Sequence, residues 1–187
     1  MTWNDYLEQT KNRKTRPLLI EALKNAKGEG FALDLGSGAL NDVPAILEAG
    51  YNHIDAVDSN ERIGEFAKNV PKLTFFPVSF DKFKFQKDTY SLVNAQYALP
   101  FAGASFNIVW QNLVESLKSG GIFTGQFFGV EDGWNDGNHP EIIFHDQIYS
   151  LFTLFHIIKY EEELADKPTA AGIMKHWHVF HVIAKKK

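Results

Sequence analysis

The chain contains no cysteine in 187 residues, which rules out a disulfide framework and a thiolate metal site and makes a cytoplasmic location the expectation. It also lacks any run near the roughly 18 apolar residues that a membrane span needs, so no membrane partner is expected. The opening MTWNDYLEQTKNRK mixes both charges without an apolar stretch, and no secretory signal is expected there. Surplus positive charge is missing as well. The formal net charge is -4, which argues against a phosphate backbone as the main partner. One basic cluster, KNRKTR (Lys11, Arg13, Lys14, Arg16), reads as a solvated helix end and linker, or alternatively as a contact to an anionic substrate or RNA. Internal repeats and low-complexity tracts are absent too.

What remains is an ordinary globular composition, 44% hydrophobic, with a high aromatic share carried by 16 Phe. A single domain over residues 1–187 follows from the length. Strand-like and helix-like segments alternate. PLLIEALKNAKGEG has helical spacing, FALDL (31–35) is a short apolar strand, and NDVPAILEAGY is a helix with Pro44 in its first turn. HIDAVD (53–58) is the next strand, and SNERIGEFAKN the next helix, with Ser59 or Asn60 as N-cap. KLTFFPVSF (72–80) and YSLVNAQYA (90–98) are strands three and four. SFNIVWQNLVESLKSGG carries a helix ending at Gly120, and GIFTGQFFGV (121–130) is strand five. This alternation predicts an α/β, doubly wound, Rossmann-like sheet that is mostly parallel, with helices on both faces. Toward the C-terminus HDQIYSLFTLF predicts a helix. HIIKYEEEL (156–164) and KHWHVFHVIAKKK (175–187) are then too close for a crossover, so an antiparallel strand is expected there.

The stretch FALDLGSGALND bears most on function. A tight turn between strand and helix turns backbone N–H groups toward a ligand. A dinucleotide loop needs G-x-G-x-x-G, but Asn41 occupies the sixth place, and Asp34 would oppose a pyrophosphate. No G-K-[ST] follows, so a phosphate loop is excluded. A carboxylate at Asp34 suits an ammonium group instead. S-adenosylmethionine has a cationic amino-acid end and no phosphate, and Asp58, 20 residues after Gly38, could accept hydrogen bonds from its ribose hydroxyls.

On DLGSG, YLEQTKNRKTRPLLIEAL, SLVNAQYALPF, GGIFTGQFFG and KHWHVFHVIAKK the whole chain resembles the class I S-adenosylmethionine-dependent methyltransferases. Within them it is similar to small stand-alone bacterial members related to the tellurite-resistance type. That resemblance implies a seven-stranded sheet with an antiparallel final strand. It implies an N-terminal helical segment (1–30) over the cofactor site, a cofactor-binding core (31–130), and an acceptor-side loop, helix and hairpin (131–187). Asp34, Gly36, Ser37 and Gly38 would surround the methionine end, Asp58 with Ser59 the ribose, and Phe80 with Asp81 the adenine. Asn94, Ala95 and Gln96 would flank the sulfonium methyl. Leu40 departs from the family, which commonly has another glycine there.

Buried amides are costly unless paired. Asn94, Gln96 and Tyr97 on strand four, and Gln126 on strand five, are therefore expected either to face donor and acceptor or to form an amide network inside the core. Trp134 is a candidate lid or loop anchor. Tyr97, His139 and His145 are the candidate bases for an acceptor that carries a proton, and His178 a candidate acceptor contact. His176 and His178 share a strand face but find no third ligand, so no metal is expected. The expected activity is in-line methyl transfer to a small-molecule acceptor by a monomer or weak homodimer. The alternatives are a cofactor sensor without turnover and an RNA methyltransferase.

Overall fold

In a computed structural model, which describes residues 2–170 and 172–187, one mixed sheet runs through the molecule. Its elements in chain order are α1 (Trp3–Thr10), α2 (Pro17–Leu23), β1 (Phe31–Leu35), α3 (Val43–Glu48), β2 (His53–Val57), α4 (Ile63–Ala67), β3 (Leu73–Phe76), β4 (Tyr90–Ala95), α5 (Phe106–Ser116), β5 (Leu117–Gly129), β6 (Phe144–His145), β7 (Phe155–Pro168) and β8 (Met174–Lys186). The sheet order is β3-β2-β1-β4-β5-β8-β7, with the two-residue β6 paired to β5. Every pairing is parallel except those of β8, which runs antiparallel to both neighbours.

Both faces of the sheet are covered. On one, Ala32, Ile54, Ala56, Leu92, Ile122 and Ile183 pack beneath Leu7, Leu18, Leu19, Val43, Ile46 and Ile63 from the first four helices. On the other, Leu33, Val57, Val93, Phe123 and Val182 meet Phe106, Val109, Trp110 and Leu113 of α5. The buried positions of α5 recur at helical spacing, which is why that segment is a helix. Pro17 opens α2 and Pro44 sits in the first turn of α3, where a missing N–H costs nothing. A capping box between Thr2 and Asp5 starts α1.

Several expectations shift. HDQIYSLFTLF is not a helix; it forms only a 3-10 turn at Tyr149–Phe152, because Phe155 already enters β7. Ile148, Phe152 and Phe155 bury their side chains at helix-like spacing, so the period misleads. The helix expected to end at Gly120 ends at Ser116, because Leu117 pairs with Tyr90 at the start of β5. β3 stops at Phe76, ahead of Pro77, which offers no N–H to a ladder. Neither Ser59 nor Asn60 is the N-cap of α4. Arg62 is, and the Asn60 side chain accepts from the Arg62 N–H at 3.1 Å just before the helix.

Candidate functional site

Parallel strands β1 and β4 end together beside the longer β5, and the register lines up polar side chains on one face. Asp34 stands beside Asn94, and Asn94 beside Thr124. One step nearer the strand ends, Gln126 stands beside His181 of β8. The Asn94 amide donates to Asp34 Oδ1 at 2.8 Å. Gln96 Nε2 donates to Asn94 Oδ1 at 2.9 Å and to Thr124 Oγ1 at 3.2 Å. Gln126 Nε2 donates to Gln96 Oε1 at 3.0 Å, and Gln126 Oε1 accepts the Tyr97 N–H at 3.0 Å. The amides are thus satisfied by one another, as an internal network, and they lock the end of β4 in place.

The ladder leaves one carboxylate oxygen over. Asp34 Oδ2 is buried and has no hydrogen-bond partner, and neither does Ser37 Oγ in the following loop. Burial, with the nearby Asp42 charge adding to it, pushes the Asp34 carboxyl up to about 7. An unpaired buried carboxylate is expensive, so this position favours a cation brought by a ligand.

Gly36 and Gly38 take positive φ of 74° and 49°, a region open to glycine without strain. A Cβ at Gly36 would meet Ala98 Cβ at 2.5 Å, with Phe80 Cζ 3.6 Å away, whereas one at Gly38 would meet nothing within 4 Å. Leu40 also has positive φ, 61°, so it keeps the glycine-like backbone while its side chain is buried among Val43, Ile46 and Ile63. Asp58, at the end of β2, accepts the Gly38 N–H at 3.1 Å and the Asn60 N–H at 3.0 Å; burial raises its pKa despite these bonds. Each of its oxygens still has a lone pair for a diol. Asp81 is exposed and accepts from Ser79 Oγ at 2.6 Å.

The N-terminal segment crosses these loops. Asn60 donates to Asn4 Oδ1, Arg62 to Glu8, Asn41 to the Thr10 carbonyl, and Arg13 to Asp42 at 3.3 Å. Trp3 packs edge-on to Phe101 at 5.2 Å, and the Arg16 guanidinium lies 4.7 Å from the Tyr97 ring centre.

Beyond β4 and β5 the same face becomes aromatic. Tyr97, Phe101, Phe128, Trp134 and Trp177 gather around Ile142 and Val179. Tyr97 holds a strained φ of 56°, and burial raises its phenol pKa, so the hydroxyl stays protonated near neutrality. Lys175 Nζ lies 3.6 Å from the Trp177 ring centre and 4.2 Å from that of Trp134, and it pairs with Asp132 at 2.5 Å. Asp132 also accepts the Trp134 and His178 N–H groups, which fixes the loop after β5 onto β8.

Of the residues expected to act on the acceptor, Tyr97 and Trp134 come together here, while Gln126 is buried behind Tyr97 with both amide atoms used in the ladder. His139 lies at the rim, 5.8 Å from Trp134. His145 does not join them. It packs against Phe106 and Phe127 on the α5 face, where burial lowers its pKa. His178 also points away, toward Phe180 and Glu162, with its Nδ1 accepting the Glu131 N–H. Among the described residues no group of three or more His, Cys, Asp or Glu could hold a metal ion. Trp177, Lys175 and Asp132 belong to no motif that singles them out in the sequence. The alternation of β8, with His181 and Trp177 on one face and His178 on the other, is the one signal that points to Trp177 and Lys175, and nothing in the sequence points to Asp132.

No protein-family model matches the chain, and no curated protein does. Solved structures do. TehB from Haemophilus influenzae is 15% identical with a TM-score of 0.72, over 95% of this chain and 65% of that one. A putative S-adenosylmethionine-dependent methyltransferase from Listeria monocytogenes is 16% identical with a TM-score of 0.62, over 90% and 97%. The 1,6-didemethyltoxoflavin-N1-methyltransferase of Burkholderia thailandensis, solved with bound 1,6-didemethyltoxoflavin and S-adenosylhomocysteine, is 17% identical with a TM-score of 0.62, over 91% and 79%. The chain has the class I methyltransferase fold.

Proposed function

We propose that the chain binds S-adenosylmethionine and transfers its methyl group to a small, planar acceptor. The observation that carries this reading is Asp34, a buried carboxylate oriented by Asn94 with its second oxygen unused. Asp34 would hold the ammonium, the Gly36–Gly38 turn would admit the chain of the amino acid, and Asp58 with Ser59 would hold the ribose. Phe80 and Asp81 would flank the adenine, with Ala95 at the end of β4 beside the amide ladder. Bound there, the cofactor supplies an electrophilic methyl on sulfur. The protein's part is positioning and exclusion of water. Tyr97, Phe101, Phe128, Trp134 and Trp177 offer ring faces for a flat acceptor. Tyr97, protonated near neutrality, would orient an acceptor by donating a hydrogen bond, leaving His139 as the base for an acceptor that carries a proton.

An RNA acceptor fits less well, because two of the cluster's four cations are held by carboxylates, Lys11 by Glu8 and Arg13 by Asp42, and Arg16 lies over the Tyr97 ring. Calorimetry with S-adenosylmethionine and S-adenosylhomocysteine tests the cofactor. Binding of neither at millimolar concentration would sink the proposal. A panel of phenol, thiol, amine and metalloid-oxyanion acceptors, assayed for release of S-adenosylhomocysteine, tests transfer. We expect turnover with planar phenols or heteroaromatic nitrogens, and binding without release from any of them would leave a sensor.

A further inference from the structure

Among the described residues six buried side-chain polar atoms lack a hydrogen-bond partner, and three of them border the loop from Gly36 to Asp42: Asp34 Oδ2, Ser37 Oγ and Arg16 Nε. Asp34 precedes that loop. Arg16 reaches it from the N-terminal segment, with its own N–H donating to Asp42 Oδ1 at 2.9 Å. Arg16 differs from Lys11 and Arg13 in the same stretch, and its Nε is buried. Arg13 rests on Asp42 and Lys11 on Glu8, whereas the Arg16 guanidinium meets no carboxylate among the described residues and lies over the Tyr97 ring. A guanidinium keeps its charge at any working pH and presents a fork suited to a carboxylate. Leaving such a donor buried and unpaired is costly unless a ligand supplies the acceptor.

An orphaned carboxylate oxygen and an orphaned guanidinium nitrogen at one loop are complementary to a zwitterion. We propose that Arg16 is the binding residue for the α-carboxylate of the ligand's amino-acid end, with Asp34 taking its α-ammonium. This deepens, and rests on, the cofactor reading above. The Tyr97 ring supports the guanidinium from beneath, and Ser37 Oγ supplies a further hydroxyl to the same end. Occupation of the site would thereby tie the N-terminal segment to the strand ends through the ligand itself.

Titration calorimetry of the wild type and of Arg16→Met, a change that keeps an unbranched apolar side chain on Tyr97 without the charge, tests the assignment. The two ligands are S-adenosylhomocysteine and 5′-methylthioadenosine, which keeps the nucleoside and thioether but lacks the amino acid. We expect Arg16→Met to weaken S-adenosylhomocysteine by about tenfold to a hundredfold, the scale of a lost charge-assisted pair. Binding of 5′-methylthioadenosine should stay within about twofold, which also reports that the variant is folded. Unchanged affinity for S-adenosylhomocysteine, or equal weakening of both ligands, overturns the role of Arg16. A wild type that binds neither ligand overturns the cofactor reading itself, and this assignment with it.

Discussion

Leu40 is held at φ 61° with its side chain buried, so two opposing effects meet at one residue. A left-handed backbone costs a non-glycine residue about 1–2 kcal/mol, and truncating a buried leucine costs about 2–5 kcal/mol. Burial wins, which explains a leucine where related loops carry glycine. Leu40→Gly should therefore destabilise the chain less than Leu40→Ala, by about 1 kcal/mol, because alanine keeps the strain and loses the packing. Urea unfolding of both variants decides this; the usual order, with glycine the worse, would contradict it. Asp34 offers a second test at this scale. The folded chain keeps its carboxyl proton up to about 7, whereas the ordinary value is 3.8. Without ligand, stability should fall as pH rises between those values. Affinity for a ligand ammonium should move oppositely, rising with pH through about 7 toward a plateau, by at most about tenfold per pH unit. Calorimetry with S-adenosylhomocysteine from about pH 5.5 to about pH 8 measures it, and Asp34→Asn should flatten the slope. A flat wild-type profile would count against an ammonium at Asp34. Asp34, Gly36, Gly38 and Asp58 are legible in the sequence because a strand, a turn and the next strand end fix them over a short stretch of chain. Arg16 is not, because its meaning depends on Tyr97, far along the chain.

At the scale of elements, the loop after β5 is tied to β8 by one buried pair. Asp132 receives Lys175 Nζ together with the Trp134 and His178 N–H groups. Burial holds the Lys175 ammonium below its ordinary value, with Asp132 opposing the shift. Removing one partner strands the other, so Asp132→Ala should cost about 3–5 kcal/mol of stability. The loss should appear in urea unfolding, with a change in Trp134 and Trp177 fluorescence. A cost below about 1 kcal/mol would mean that water reaches Lys175 freely. This cluster also marks where local sequence stops being informative. The strand character of 174–186 is evident from its alternation, but which face meets the crevice depends on the register of β8 against β5, a pairing between distant segments. Hence the sequence suggests His178 as an acceptor contact, while Trp177, its neighbour, is the residue that faces Tyr97. The missing helix before β7 has a similar cause: burial at helical spacing is equally met by a turn leading into a strand.

Over the whole molecule, the sheet order places β8 between β5 and β7, and among the described strands β7 pairs with β8 alone. α1, by contrast, is held across the crevice by the exposed Arg62–Glu8 pair, the Asn60–Asn4 hydrogen bond, the burial of Leu7 and the Trp3–Phe101 contact. Surface pairs of that kind contribute about 1 kcal/mol or less each. Amides in α1 should therefore exchange hydrogen before those of β1 and β4, and should slow when S-adenosylhomocysteine binds; mass-spectrometric exchange reads both. Equal protection of α1 and the central strands would contradict a weakly held cover. The position of β8 also matters during synthesis. A ribosome delivers β5 and then β7 before β8 exists, so a nascent chain shows an open β5 edge and a β7 whose Ile157, Ile158 and Leu164 have no sheet to join. Such edges invite association with other chains. Stalled nascent chains whose residues up to 168 have emerged from the tunnel should accordingly be cut by protease within β7, whereas chains that also expose β8 outside the tunnel should resist. The strand that closes the sheet thus sets the moment at which a polysome stops being sticky.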